Sequence, residues 1–238
     1  MLEVFRSKKS ATQLFLQNGC NYLYKLISVH IIFTPILTFL RQRIILIVSK
    51  MTSKNAASAA PSENKSVSHS IPPVWNAQSR VLILGTMPSP KSREAGFFYM
   101  HPQNRFWSIV PAVFGETLSL PNNAPDSFAA INERRDFLLR HNIALWDVLA
   151  SCQIDGAADS SIKNVVPNNF SPILENSQIH HVFCTGKTAF SLWQKHCAAL
   201  YEKRYNLTVH SLPSTSPANA AWNTTRLLEA YRAILTSF

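Results

Sequence analysis

The chain predicts an α/β fold: a three-layer αβα sandwich around a four-stranded, mainly parallel sheet. Three observations carry this. Short apolar runs without polar alternation, such as Val81-Leu82-Ile83-Leu84, read as strands buried on both faces. Amphipathic stretches long enough for crossover helices separate them. Finally, the runs exit into polar loops carrying Gly or Pro, at the edge where open parallel sheets bind ligands.

The elements follow in order. Residues 80–85 form the first strand and 104–114 a short helix carrying Phe106, Trp107, Ile109 and Val110. Residues 125–140 form an amphipathic helix. Its apolar side carries Phe128, Ile131, Phe137 and Leu138, and its polar side Glu133, Arg134, Asp136 and Arg140. Strands at 143–148 and 181–184 come next, then a helix over 187–205, a strand over 207–212 and a closing helix over 220–238. Phe97 and Phe106 are expected in the core, and no internal repeat is present.

The 238 residues divide into three parts. Residues 74–238 hold the α/β domain, and residues 51–73 read as a disordered linker rich in Ala, Ser, Asn and Pro. Residues 1–50 are basic and apolar and admit three readings. The uncharged run Leu26 to Leu40 is short for a spanning helix, which needs about 20 residues. Basic residues with almost no acid suit an organelle-targeting presequence. Alternatively, translation begins at Met51 and residues 1–50 lie upstream of it. Without such targeting, a cytoplasmic, nucleoid-associated protein is expected if the source is bacterial.

The formal charge of +10 is concentrated at this end. Residues 1–54 carry eight Lys and Arg against Glu3, while the rest has 15 basic against 12 acidic residues. Global charge therefore carries no claim of nucleic-acid binding. Cys20, Cys152, Cys184 and Cys197 form no CxxC pair, so no metal site or cofactor is expected and the thiols suit a reducing compartment. Gly186-Lys187-Thr188 mimics part of a Walker motif but lacks its upstream glycine.

Two loops carry chemistry. Gly85-Thr86-Met87-Pro88-Ser89, continued by Phe98-Tyr99-Met100-His101-Pro102-Gln103-Asn104-Arg105-Phe106-Trp107, resembles the first motif of the uracil-DNA glycosylase superfamily. Leu212-Pro213-Ser214-Thr215-Ser216-Pro217 resembles the second. Ala144-Leu145-Trp146-Asp147-Val148 and Thr185-Gly186-Lys187 are similar to segments of the hypoxanthine-DNA glycosylase (DNA-deoxyinosine glycosylase) branch. The resemblance covers residues 74–238 and implies a uracil-DNA glycosylase-like fold. The implied activity is monofunctional hydrolysis of the N-glycosidic bond of a deaminated base in base-excision repair, with hypoxanthine first. The implied partner is DNA containing deaminated bases, acted on by a monomer without a membrane partner for this domain.

Such chemistry needs a placed water beneath an oxocarbenium-like sugar and a base turned out of the duplex. The resemblance implies Asn104 as the catalytic residue. The mismatch-specific uracil branch places its water with an Asn where this chain has Met87. A second reading of Asn104 is an N-cap on the following helix. The implied base-binding residues are Thr86, Met87, Phe98, Tyr99, His101 and Asp147, with Tyr99 stacking on the base. Ser89, Lys187, Ser214, Thr215 and Ser216 are implied DNA contacts, and residues 215–218 the wedge that holds the flipped site open. Lys187 sits at a helix N-terminus suited to phosphate. Leu212 replaces a His of better-known relatives. Two other readings remain: a uracil or thymine mismatch glycosylase of the same fold, and a DNA-binding relative without catalysis.

Overall fold

A computed structural model describes residues 66–155 and 161–238. The expectations for residues 1–65 lie outside these. Among the described residues, seven strands and seven α-helices run in the order β1 (Ser66–Ser68), β2 (Val81–Gly85), α1 (Pro90–Ala95), α2 (Phe106–Val113), α3 (Ser127–Arg140), β3 (Ile143–Asp147), β4 (Leu149–Gln153), β5 (Lys163–Pro167), α4 (Ser171–Glu175), β6 (His181–Thr185), α5 (Lys187–His196), α6 (Ala198–Tyr205), β7 (Thr208–Leu212) and α7 (Thr224–Tyr231). A 3₁₀ turn over Arg232–Ser237 follows.

The central sheet has the order β3-β2-β6-β7, and every pairing in it is parallel. All five residues of β2 are buried, because helices cover both faces. Val81, Ile83, Leu145 and Phe183 meet α2, α3 and α7 on one face. Leu82, Leu84, Val182 and Cys184 meet α4, α5 and α6 on the other. The alternation along each strand thus divides its side chains between two cores. From β2 the chain moves to β3 on one side and later to β6 on the other. This reversal opens a crevice at the carboxyl end of β2, the position where open α/β sheets bind ligands.

Several expectations need correction. The linker expected over 51–73 ends earlier: β1 pairs antiparallel with β4 through Val67↔Cys152, and Val74 bridges Leu145. Its polar composition hid a strand whose partner lies 85 residues away. With β5, these strands form a second, antiparallel sheet in the order β1-β4-β5. The helix expected over 187–205 breaks at Cys197, which ends α5 and starts α6. The closing helix starts only at Thr224, where the Asn223 side chain accepts a hydrogen bond from Arg226 N as an N-cap.

Helix α3 keeps its place, but two of its residues exchange faces. Phe128 is 73% exposed, whereas Arg134 is 1% exposed among Ala130, Phe137 and Leu138. Its guanidinium survives burial by donating to the carbonyls of Ala130 (2.7 Å) and Leu120 (2.9 Å) and to Asn122 Oδ1 (3.1 Å). It also lies 5.4 Å from the centre of the Trp107 ring. Cys184 and Cys197 are buried, and burial pushes both thiols up to about 12. Among the described residues no helix is long and apolar enough to cross a membrane.

Candidate active site

Four strand ends converge on a cavity of about 480 Å³, within the range of small-molecule sites. Gly85 closes β2, Asp147 closes β3, Thr185 closes β6, and the loop after β7 supplies Ser214, Thr215 and Ser216. The two chemistry-bearing loops, more than a hundred residues apart in sequence, face each other there.

Gly85 is required by crowding. A Cβ on it would run into Asp147 Oδ1 and lie 2.9 Å from Tyr99 Oη. The glycine therefore lets a carboxylate and a phenol approach the same backbone atom. The turn after it is tied down by Val148 N donating to Gly85 O and Leu149 N donating to Thr86 O. Ser89 caps α1, its Oγ accepting from Ser92 N at 3.2 Å. Ser92 Oγ in turn accepts from Met100 N, which joins the two halves of the first motif.

Tyr99 is held in an unusual state. Its φ is +57°, a left-handed conformation costing on the order of 1 kcal/mol for a residue with a Cβ. The strain is tolerated because the surroundings fix the residue at both ends. Its ring stacks on Phe106 with centroids 3.9 Å apart and planes 4° from parallel. Its hydroxyl lies 2.7 Å from Thr185 Oγ1. Burial, reinforced by the Asp147 charge, pushes the phenol well above its ordinary range, so it stays protonated.

Asn104 lines the cavity and also supports the helix after it, although Arg105, not Asn104, is the N-cap residue. Its Oδ1 accepts from Phe106 N at 2.9 Å, which secures the start of α2. The same oxygen accepts from the Thr215 hydroxyl at 2.9 Å. Two donors on one oxygen fix the amide's orientation and leave its NH₂ as the part available to the cavity. The backbone around it is clamped by Asn122, whose Nδ2 donates to the carbonyls of His101 (2.9 Å), Asn104 (3.2 Å) and Tyr99 (3.3 Å). Arg134 orients Asn122 from the core.

Ten of the twelve predicted residues line the cavity: Asn104, Thr86, Met87, Phe98, Tyr99, Asp147, Ser89, Ser214, Thr215 and Ser216. Two do not. His101 is turned into its own loop, its Nδ1 accepting from Gln103 N. Lys187 is exposed at the first turn of α5, outside the cavity lining. Thr215, expected to meet phosphate, is 1% exposed and gives its hydroxyl to Asn104. Ser214 and Ser216 are half-buried; their oxygens accept from Ser216 N and Ala218 N, which leaves their hydroxyl hydrogens to donate outward. Leu212 packs into the core, so no side chain at that position lines the cavity.

Four contributors were missed. Arg93 lines the cavity and donates to Pro88 O at 2.6 Å. Thr185 supports Tyr99, and Asn122 supports the turn before Asn104. Arg105 staples the second loop: its guanidinium donates to the carbonyls of Ser216 (2.8 Å), Asn219 (3.2 Å), Thr215 (3.3 Å) and Trp222. A cation immediately after the motif Asn was the available signal for Arg105. Asn122, in a turn eighteen residues past Asn104, gave none.

Similarities to known proteins bear on the family and the fold. The uracil DNA glycosylase superfamily model matches residues 72–236. A hypoxanthine DNA glycosylase from Methanosarcina barkeri is 34% identical over 100 residues, covering 42% of this chain and 58% of the relative. The chain thus spans less than two thirds of that protein. A hypoxanthine DNA glycosylase from Methanosarcina acetivorans is 29% identical over 162 residues, covering 67% of this chain and 93% of the relative. The solution NMR structure of a candidate uracil DNA glycosylase from Methanosarcina acetivorans superposes with a TM-score of 0.56 at 24% identity. That superposition covers 71% of this chain and 98% of the neighbour, and it speaks to the fold alone. With its family model matched over most of its length, the chain belongs to the uracil DNA glycosylase superfamily.

Proposed function

We propose that the protein is a monofunctional DNA glycosylase that releases hypoxanthine from deoxyinosine by hydrolysis. The observation that carries this reading is the anchored amide of Asn104 at the cavity wall. In it, Asn104 donates from its NH₂ to a water and holds that water beneath C1′ of a flipped nucleotide. As the C1′–N9 bond breaks, the sugar gains oxocarbenium character, the water oxygen bonds to C1′, and the water's proton is lost to solvent. The departing purine takes up a proton. A placed water suffices here, because an oxocarbenium-like carbon needs position more than a strong base.

The cavity supports a purine by its size and by its mixture of aromatic wall and polar floor. Tyr99, held in place by its stack on Phe106, and Phe98 form the aromatic wall of the cavity. Ser214 and Ser216 donate to the phosphates that flank the flipped nucleotide, and exposed Pro217 and Ala218 fill the gap it leaves. Among the described residues no lysine lines the cavity, which supports hydrolysis over a covalent imine with strand cleavage. Met87 supports hypoxanthine over uracil, because its thioether lines the cavity where the mismatch-specific branch carries a water-placing Asn. The protein acts as a monomer in this reading.

Duplexes carrying deoxyinosine, deoxyuridine opposite guanine, or deoxyxanthosine test the proposal with the full chain. Free hypoxanthine is expected as the fastest product, with the sugar-phosphate backbone left intact. Salt-dependent duplex binding with no base released would instead establish a binding module.

A further inference from the structure

Resting on the glycosylase reading, we infer that Thr185 is a specificity-determining residue: it fixes the Tyr99 hydroxyl so that its oxygen faces the base as an acceptor, selecting bases with a ring N–H. The argument follows from hydrogen-bond direction. Thr185 has one hydroxyl hydrogen, and it donates to Leu84 O at 3.1 Å in a buried contact. A carbonyl only accepts, so that direction is fixed. Thr185 Oγ1 can then only accept from Tyr99, at 2.7 Å. The chain of donation runs from Tyr99 to Thr185 to Leu84, and it uses the single hydrogen of the phenol. What Tyr99 Oη has left is lone-pair density.

That oxygen stands against the Gly85 α-carbon, where Asp147 Oδ1 also stands. The cavity floor beside Gly85 therefore presents two oxygen atoms close together. A hydrogen-bond donor suits such a floor, and a lone pair pointed at it is repelled. Deamination makes this difference in the base itself. Adenine presents a bare N1 lone pair, whereas hypoxanthine carries N1–H beside its carbonyl; cytosine and uracil differ in the same way at N3. A site built to receive a ring N–H rejects the analogue lacking it far more strongly than a change of shape would allow. The undamaged parent base is thus refused by polarity, and Thr185 enforces that polarity from beneath Tyr99.

The test uses the full chain under single-turnover conditions, with duplexes carrying either deoxyinosine or the deoxyriboside of unsubstituted purine, which has a bare N1. Thr185→Val keeps the side-chain shape but frees the phenol hydrogen. The expected result is a fall of at least about tenfold in the ratio of hypoxanthine release to purine release. Tyr99→Phe, which keeps the stacking ring, lowers the ratio likewise, and Thr185→Ser keeps it at the wild-type value. Equal losses on both substrates in Thr185→Val, or an unchanged ratio in Tyr99→Phe, overturn the inference while leaving hypoxanthine release in place. A wild-type chain that releases no hypoxanthine overturns the glycosylase reading and the inference with it.

Discussion

At the scale of single residues, the site depends on groups that do not touch the substrate. Thr215 is the clearest case. Its hydroxyl and Phe106 N–H together hold Asn104 Oδ1, so that the amide cannot turn over. One such buried hydrogen bond contributes about 1 kcal/mol, which corresponds to a several-fold change in rate. Thr215→Val is therefore expected to lower kcat for hypoxanthine release about five- to tenfold, with little change in KM. Thr215→Ser should restore most of it. A rise in KM with kcat unchanged would show that Thr215 works through DNA contact after all. Gly85 gives a second residue-level expectation. In Gly85→Ala the new methyl meets Asp147 and Tyr99, neither of which is a free-ended surface chain. Loss of activity together with a lowered Tm is expected, and unchanged values in both would contradict the crowding argument.

At the scale of elements, the important links are between the two motif loops. Arg105 lies directly before α2 and spends its guanidinium on four carbonyls of the loop between β7 and α7. A lysine has neither the fork nor the reach for this pattern. Both Arg105→Ala and Arg105→Lys are expected to raise KM for duplex DNA and to quicken proteolysis within residues 213–222. Unaltered cleavage there would argue that the loop holds its shape unaided. The β6–β7 edge makes a different prediction. His210 stacks on Phe183 and lies 3.2 Å from His181 Nδ1, and burial, then the His181 charge, lowers its pKa below the ordinary 6.5. His69 is lowered in the same direction, first by burial. A depressed histidine pKa favours the neutral form in the folded state. The associated stability is fully present above about pH 6.5 and is lost as pH falls through the folded-state values. Tm should decline below about pH 6.5, and His210→Gln should shrink that decline.

At the scale of the whole molecule, four parallel strands bring residues from 85 to 216 to one edge of one sheet. This much was legible, because a strand buried on both faces writes itself as an unbroken apolar run such as Val81 to Leu84. The first motif loop was legible for the same reason, since it follows such a run, whereas the second follows the polar edge strand Thr208–Leu212 and was legible only as a Pro/Ser motif. The antiparallel sheet was not. Ser66–Ser68 has a polar strand's composition and depends on a partner at Ser151–Gln153 that local pattern cannot supply. Arg134 was misplaced because helical periodicity assigns a charge to the outer face, while here carbonyls and an indole receive it inside. Asn104 was found by its motif, but its orientation required Thr215, 111 residues on. The geometry of the proposed site therefore rests on long-range hydrogen bonds that a reading of separate motifs cannot order. The most direct test of that account is single-turnover release of free hypoxanthine from a deoxyinosine duplex by the full chain and by Asn104→Ala. The account predicts release by the wild type and a loss of at least about a hundredfold in the variant, with duplex binding retained. Release by Asn104→Ala at the wild-type rate would contradict it.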